Sequence, residues 1–150
     1  MFTQAQLDDF LAQPALAVVG VSRKGTKFGN LLYRTLRARG TRVYAVHPQA
    51  ARLEGDPAYA AFNALPEPVG GVVVCVKPAQ AEAVVREVVA AGIPRLWLQQ
   101  GAASPAVLAY AAAQGLTVFS GACLLMFVAG DRFPHALHRT VQGWLGRLPG

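Results

Sequence analysis

Acidic residues are missing between Asp9 and Glu54, and the gap holds Arg23, Lys24, Lys27, Arg34, Arg37, Arg39, Arg42 and Arg52, 8 of the 14 basic residues of the chain. In a protein of net charge +6, a one-signed stretch of that kind points to a polyanionic partner. For the helical part, Arg34, Arg37 and Arg39, a merely solvated basic face is an equal alternative. Cysteine is scarce as well: Cys75 and Cys123 are the only two, too few for a disulfide scaffold. Each lies in an apolar run, which favours reduced, packed thiols over a bridge. No apolar run reaches the roughly 20 residues that a membrane-spanning helix needs, and residues 1–4 have neither the basic region nor the cleavage site of a signal peptide. The expectation is therefore a cytosolic protein. Charged residues make up 15% of the chain against 53% hydrophobic, which excludes a disordered tail or a coiled coil. The 150 residues suit one domain, residues 1–150, able to bury its apolar surface without staples.

What is present alternates. Thr3 with Gln6 has the form of a capping box, Leu7, Phe10 and Leu11 give a short helix its stripe, and Pro14 closes it. Residues 15–20 read as an apolar strand, and Phe28, Leu31, Leu32 and Leu36 recur at helical spacing as far as Gly40. A second strand follows at 41–46, a short helix at 58–65, the Pro66-Glu67-Pro68 break, and a third strand at 71–76. Pro78 opens a helix marked by Ala81, Val84, Val85, Val88 and Val89. Residues 96–99 form a fourth strand, Ser104-Pro105 starts a further helix through Gln114, and 116–119 form a fifth strand. Continuous apolar strands separated by amphipathic helices require a parallel sheet covered on both faces. The predicted fold is α/β, a Rossmann-like, doubly wound and mainly parallel five-stranded sheet. Ligands of such sheets bind at the carboxyl ends of strands, which nominates Gly20 to Lys24, His47-Pro48, Lys77-Pro78 and Gln99-Gln100-Gly101 as one crevice.

The richest of these strand ends is the first, where Gly20-Val21-Ser22-Arg23-Lys24-Gly25-Thr26-Lys27 leads into a helix. The first N–H groups of a helix have no internal partner and carry about half a positive charge, so an anion sits well there. Glycine admits close approach, and Arg23, Lys24 and Lys27 add full charges. Three phosphate-binding patterns compare with this loop. The nicotinamide fingerprint fails twice: its second glycine position is Ser22, and no carboxylate follows the second strand, which ends at Val46-His47-Pro48. NAD is disfavoured, whereas the extra phosphate of NADP would suit the basic surround. A Walker loop is half satisfied by Gly20 and Gly25, but Thr26-Lys27 reverses the required Lys-Ser/Thr order, and Lys77 stands where a metal-binding acid would be needed. Coenzyme A, with its 3'-phosphate and pyrophosphate, wants cations where NAD wants an acid.

On these residues the chain resembles the small CoA-binding domain proteins, similar to the N-terminal domain of succinyl-CoA ligase alpha subunits. The resemblance covers nearly the whole length. It rests on the Val19-Gly20-Val21-Ser22 turn, His47-Pro48 where the family usually has Asn-Pro, Val76-Lys77-Pro78, Trp97-Leu98-Gln99 with Gly101, and Cys123 followed by Met126. It implies Gly20, Val21, Ser22, Arg23, Lys24 and Lys27 around the phosphates and His47-Pro48 beside the adenosine. Lys77, Pro78, Gln99 and Gly101 would line the pantetheine path. His47 is a departure, since imidazole cannot reproduce both amide contacts of asparagine. Ligase activity is not implied, because the phosphorylated histidine and nucleotide-grasping parts belong to further domains.

No catalytic constellation emerges. Cys123 stands near the crevice edge, where it could meet a thioester, but nothing adjacent in sequence would lower its pKa, and a packed thiol is the simpler expectation. Cys75 is expected mid-strand, in the core. Ser22 lacks a local histidine and acid, and a hydroxyl donating to phosphate accounts for it. His135 and His138 share a face of a terminal segment that also holds Trp144 and Leu145, and two imidazoles alone do not make a zinc site. A homodimer through that apolar segment is an open expectation. The functional expectation is noncovalent binding of coenzyme A or an acyl-CoA by a sensor, carrier or regulatory module. An NADP-dependent oxidoreductase or redox sensor is the alternative, and nucleic-acid association through the basic segment is a third, disfavoured for want of an interleaved basic-aromatic surface.

Overall fold

The computed structural model describes residues 2–129. Helix α1 (Gln4–Leu11) begins on the expected capping box, with the Thr3 hydroxyl accepting from the Gln6 N–H and the Gln6 side chain accepting from the Thr3 N–H. Then come β1 (Ala15–Val19), α2 (Phe28–Ala38), β2 (Arg42–Val46), β3 (Arg52–Leu53) and β4 (Asp56–Tyr59). A 3-10 turn (Phe62–Ala64), β5 (Gly71–Val74), α3 (Pro78–Ala90), β6 (Arg95–Leu98), α4 (Pro105–Ala113), β7 (Thr117–Phe119) and α5 (Leu125–Val128) complete the described chain. The strands form one seven-stranded sheet in the order β3-β4-β2-β1-β5-β6-β7, parallel throughout except for the β3/β4 pair.

The five expected strands are all present as the parallel run from β2 to β7, and the two further strands are the correction. Residues 58–65, read as a helix, instead hold the end of β4 and a 3-10 turn. Glu54 and Gly55 both take positive φ, 53° and 81°, the backbone of a two-residue hairpin turn whose twist suits antiparallel strands. The hairpin carries Ala58 and Tyr59 alongside Ala45 and Val46 of β2, so sheet pairing overrides the local helical tendency of Ala58, Ala60 and Ala61.

Alternating residues of the strands feed two cores. On one face Leu16, Val18, Val73 and Trp97 pack with α1, α2 and α5. On the other Ala17, Val72, Val74, Leu96 and Leu98 pack with α3 and α4. Burial on both sides is why the strands are continuously apolar. An aromatic cluster anchors the first core: Trp97 and Phe119 stack with centroids 4.9 Å apart, flanked by Phe2 and Phe10. The indole N–H of Trp97 donates to the Ala122 carbonyl at 3.2 Å, and the N–H of Leu124 donates to Gln99 Oε1 at 3.1 Å. These two bonds draw the segment after β7 back across the carboxyl end of β6. From β1 the chain winds to β2 on one side, while β5 lies on the other side of β1. The sheet changes winding direction between β1 and β5, and the loops there diverge to leave a crevice.

Candidate functional site

The crevice follows from two close backbone approaches. Gly20 has φ 115°, and a Cβ there would fall 2.5 Å from the Cys75 carbonyl oxygen. A Cβ on Gly29 would fall 2.3 Å from the Gly20 carbonyl oxygen. The start of α2 therefore rests directly on the turn that leaves β1, and its N-terminus faces the crevice. The N-cap residues of α2 and α3, Lys27 and Lys77, make no side-chain cap hydrogen bond. The contrast is with α1 and α4, capped by the Thr3 and Ser104 side chains.

Two adjoining cavities make up the crevice. The first, of about 660 Å³, is lined by Gly20, Val21, Ser22, Arg23, Lys24, Lys27, His47 and Pro48, together with Gln49, Val76 and Gln80. The second, of about 580 Å³, is lined by Lys77, Gln99, Gln100 and Gly101, with Phe28, Cys75 and Cys123. Gly20, Lys27, Val76 and Gln80 belong to both. Eleven of the twelve predicted site residues thus meet along one surface, and the exception is Pro78, which starts α3 without lining either cavity.

Several roles differ from expectation. The Ser22 hydroxyl, expected to serve phosphate, donates to Asn30 Oδ1 at 3.0 Å, and the Ser22 N–H donates to the same oxygen at 2.9 Å. Asn30 Nδ2 in turn donates to the Ser22 carbonyl at 2.9 Å and to Glu54 Oε2 at 2.8 Å. Asn30 is completely buried, and sequence reading missed it, although an amide inside the apolar stripe of a helix was the available signal. Glu54 also accepts from Arg34 at 3.1 Å, and the same guanidinium group donates to the Gly25 carbonyl. The β3–β4 hairpin thereby braces the basic loop, and hydrogen bonds, first from Asn30, hold the Glu54 carboxyl below its ordinary range. Gln99 is nearly buried, and its side-chain oxygen is engaged by Leu124. Cys75, placed mid-strand in the sequence reading, lies one residue beyond β5 and lines the cavity.

His47 occupies the end of β2 in an unforeseen way. Its Nδ1 accepts from the N–H groups of Gln49 and Ala50 at 3.1 and 3.0 Å, performing the turn-holding acceptor function of an asparagine side-chain oxygen. The neutral ring then carries its proton on Nε2. Burial and, second, the Arg23 guanidinium push His47 below its usual pKa.

The long basic segment divides into two. Arg34 pairs with Glu54, Arg37 with Asp56 and Arg42 with Glu67, so acids from the hairpin neutralise two cations of α2, and the acid of the Pro66–Pro68 turn neutralises the first residue of β2. Among the described residues, Arg23, Lys24 and Lys27 form no salt bridge. No group of three or more metal-ligating side chains occurs among the described residues, and His135 and His138 lie outside them. No helix among the described residues is long and apolar enough to cross a membrane.

A family model described as a CoA binding domain matches residues 15–129. The chain belongs to the CoA-binding domain family. This family is the one the loop and strand-end residues resemble. Among solved structures, the CoA-binding domain is similar to a conserved hypothetical protein from Pyrococcus furiosus, with 31% identity over 75% of this chain and 97% of that one and a TM-score of 0.71. A Thermus thermophilus protein shares 26% identity over 93% of this chain and 99% of that one, with a TM-score of 0.75. The fold also recurs in a dinucleotide-forming acetyl-coenzyme A synthetase from Ca. Korarchaeum cryptofilum, at 24% identity and a TM-score of 0.65, where 75% of this chain matches 27% of that one. No curated protein matches the chain.

Proposed function

We propose that residues 1–150 form a single domain that binds coenzyme A or an acyl-CoA noncovalently, as a sensor, carrier or regulatory module without ligase activity of its own. The observation that carries this reading is a cavity holding Arg23, Lys24 and Lys27, none of them in a salt bridge among the described residues, that adjoins a second cavity running past Lys77 to Gln99, Gln100 and Gly101. That extended shape, with those cations at one end, matches a ligand with a phosphorylated nucleoside at one end and a long arm at the other. Arg23, Lys24 and His47-Pro48 would receive the 3'-phosphorylated adenosine. The Gly20–Ser22 turn, Lys27 and the α2 N-terminus would hold the pyrophosphate. The arm would pass Lys77-Pro78 and reach Gln99 to Gly101.

Family membership supports the same ligand. The end of β2 presents His47 where an NAD site places a carboxylate, and the pairing of Arg34, Arg37 and Arg42 with acids weakens the electrostatic case for nucleic acid. Thermal unfolding with CoA, acetyl-CoA, dephospho-CoA, NAD and NADP in parallel tests the reading. Ligand at about 100 times its Kd contributes roughly 2.7 kcal/mol, a rise in Tm of roughly 5 to 10 °C at this size. The expected result is a rise with CoA that shrinks with dephospho-CoA. A rise with NADP alone would transfer the crevice to the oxidoreductase alternative.

A further inference from the structure

Both cysteines of the chain line the second cavity, whose lining does not include Arg23, Lys24 or His47, and Cys75 lies against Gly20, where the two cavities join. Both side chains pack against the core on the α2 face of the sheet. Cys123 is held from either side, because the Ala122 carbonyl and the Leu124 N–H are bound by Trp97 and Gln99 of the β6 strand end. A ligand whose anionic end occupies the cationic cavity directs its other end toward these thiols.

We propose that Cys123 is a disulfide-exchange site that captures the thiol half of a disulfide derived from the bound ligand. This rests on the CoA reading above, and the substrate class is a low-molecular-weight disulfide in which at least one half is CoA. The Cys123 thiol loses its proton to solvent, and the Sγ thiolate attacks the CoA sulfur of that disulfide. An Sγ–S bond forms, the S–S bond of the reagent breaks, and the departing thiolate leaves with the electron pair and takes up a proton. One disulfide is consumed and one is made, so the exchange needs no other oxidant. Cys75 is not the attacking group: burial, and next the neighbouring Cys123, push its thiol up to about 12, so at neutral pH it is held protonated. For the same reason it is slow to resolve the adduct, which accumulates.

The test treats the reduced full chain at neutral pH with CoA disulfide, and in parallel with pantethine, which has the same arm and disulfide but no phosphates. Intact mass and peptide mapping then follow the adduct. Anchoring converts the exchange into a nearly intramolecular one, so labelling by CoA disulfide at about 10 μM is expected to run roughly 100-fold faster than by pantethine. The adduct should map to Cys123, slow when excess CoA is present, be absent in Cys123→Ser and persist in Cys75→Ser. Labelling at Cys75 in place of Cys123, or equal rates with the two disulfides, would overturn the proposal. Calorimetry of the reduced protein with CoA separates the two failures. Binding without accelerated labelling overturns the exchange site alone, whereas no binding overturns the ligand reading as well.

Discussion

The loop cations Arg23, Lys24 and Lys27 and the helix cations Arg34 and Arg37 sit within 15 residues of one another in a stretch without acids, yet the fold treats them differently. The helix pair is answered by Glu54 and Asp56 from the β3–β4 hairpin, while the loop cations border a cavity. An acid 20 residues away in sequence can neutralise an arginine, whereas a cation at a strand-to-helix turn is held over the carboxyl edge of the sheet, where no hairpin acid is paired with it. Charge density along a sequence thus measures potential partners, and topology decides which charges remain available.

The largest effect on that contrast is expected from Gly29→Ala, which removes the support of the loop rather than its charge. The new Cβ has no room against the Gly20 carbonyl, and a loss of about 3 kcal/mol in denaturant unfolding should accompany loss of CoA-induced stabilisation. Unchanged stability would mean that α2 can lift from the turn without cost.

Asn30→Ala comes next, because it leaves the half-buried Ser22 N–H and carbonyl without their side-chain partner. A cost of roughly 2 kcal/mol is expected, with weaker CoA binding by calorimetry than that loss of global stability would explain. Intact affinity would show that the loop holds its shape without the amide.

The comparison is sharpest between two double variants. Arg23→Ala with Lys24→Ala should weaken CoA binding by about 10- to 100-fold while Tm of the free protein barely moves. Arg34→Ala with Arg37→Ala should do the reverse, lowering stability by about 1 kcal/mol and affecting affinity much less. Equal affinity losses in the two would erase the distinction between loop and helix.

The smallest effect concerns pH. His47 has a folded pKa below its ordinary 6.5, so the unfolded chain takes up the proton first. The stability that the neutral ring contributes is present above about 6.5 and is lost as pH falls through the lower folded value. Denaturation midpoints between pH 7 and 5 should therefore drop less in His47→Asn, which keeps a side-chain acceptor that does not titrate here, than in the natural chain. Parallel curves would show that protonation leaves the Gln49 and Ala50 N–H groups satisfied.

Much of the fold was legible because its signals are local. Apolar runs at residues 15–20, 41–46 and 71–76, the Thr3 cap and the prolines at 78 and 105 each act over a few residues, and the runs match β1, β2 and β5 to within two residues, while the cap and the prolines stand at helix starts. Residues 58–65 were misread because pairing of Ala58 and Tyr59 with β2 is non-local, and the Glu54-Gly55 turn that permits it is a weak signal on its own. At the site, the predicted residues gather because strand ends in a parallel sheet must share one edge. Asn30 and Glu54 escaped notice because their value lies in contacts 8 and 24 residues apart.

The sequence by itself determined the class of fold, the position of the basic loop and the family to which the chain belongs, since hydrophobic period, glycine placement and charge act through the backbone immediately around them. Only the tertiary structure decided which cations are neutralised, that Ser22 is held by Asn30, that His47 holds its own turn, and that Cys75 and Cys123 line one cavity. Those outcomes depend on which side chains meet across the sheet edge, and no spacing along the chain encodes the geometry of such meetings.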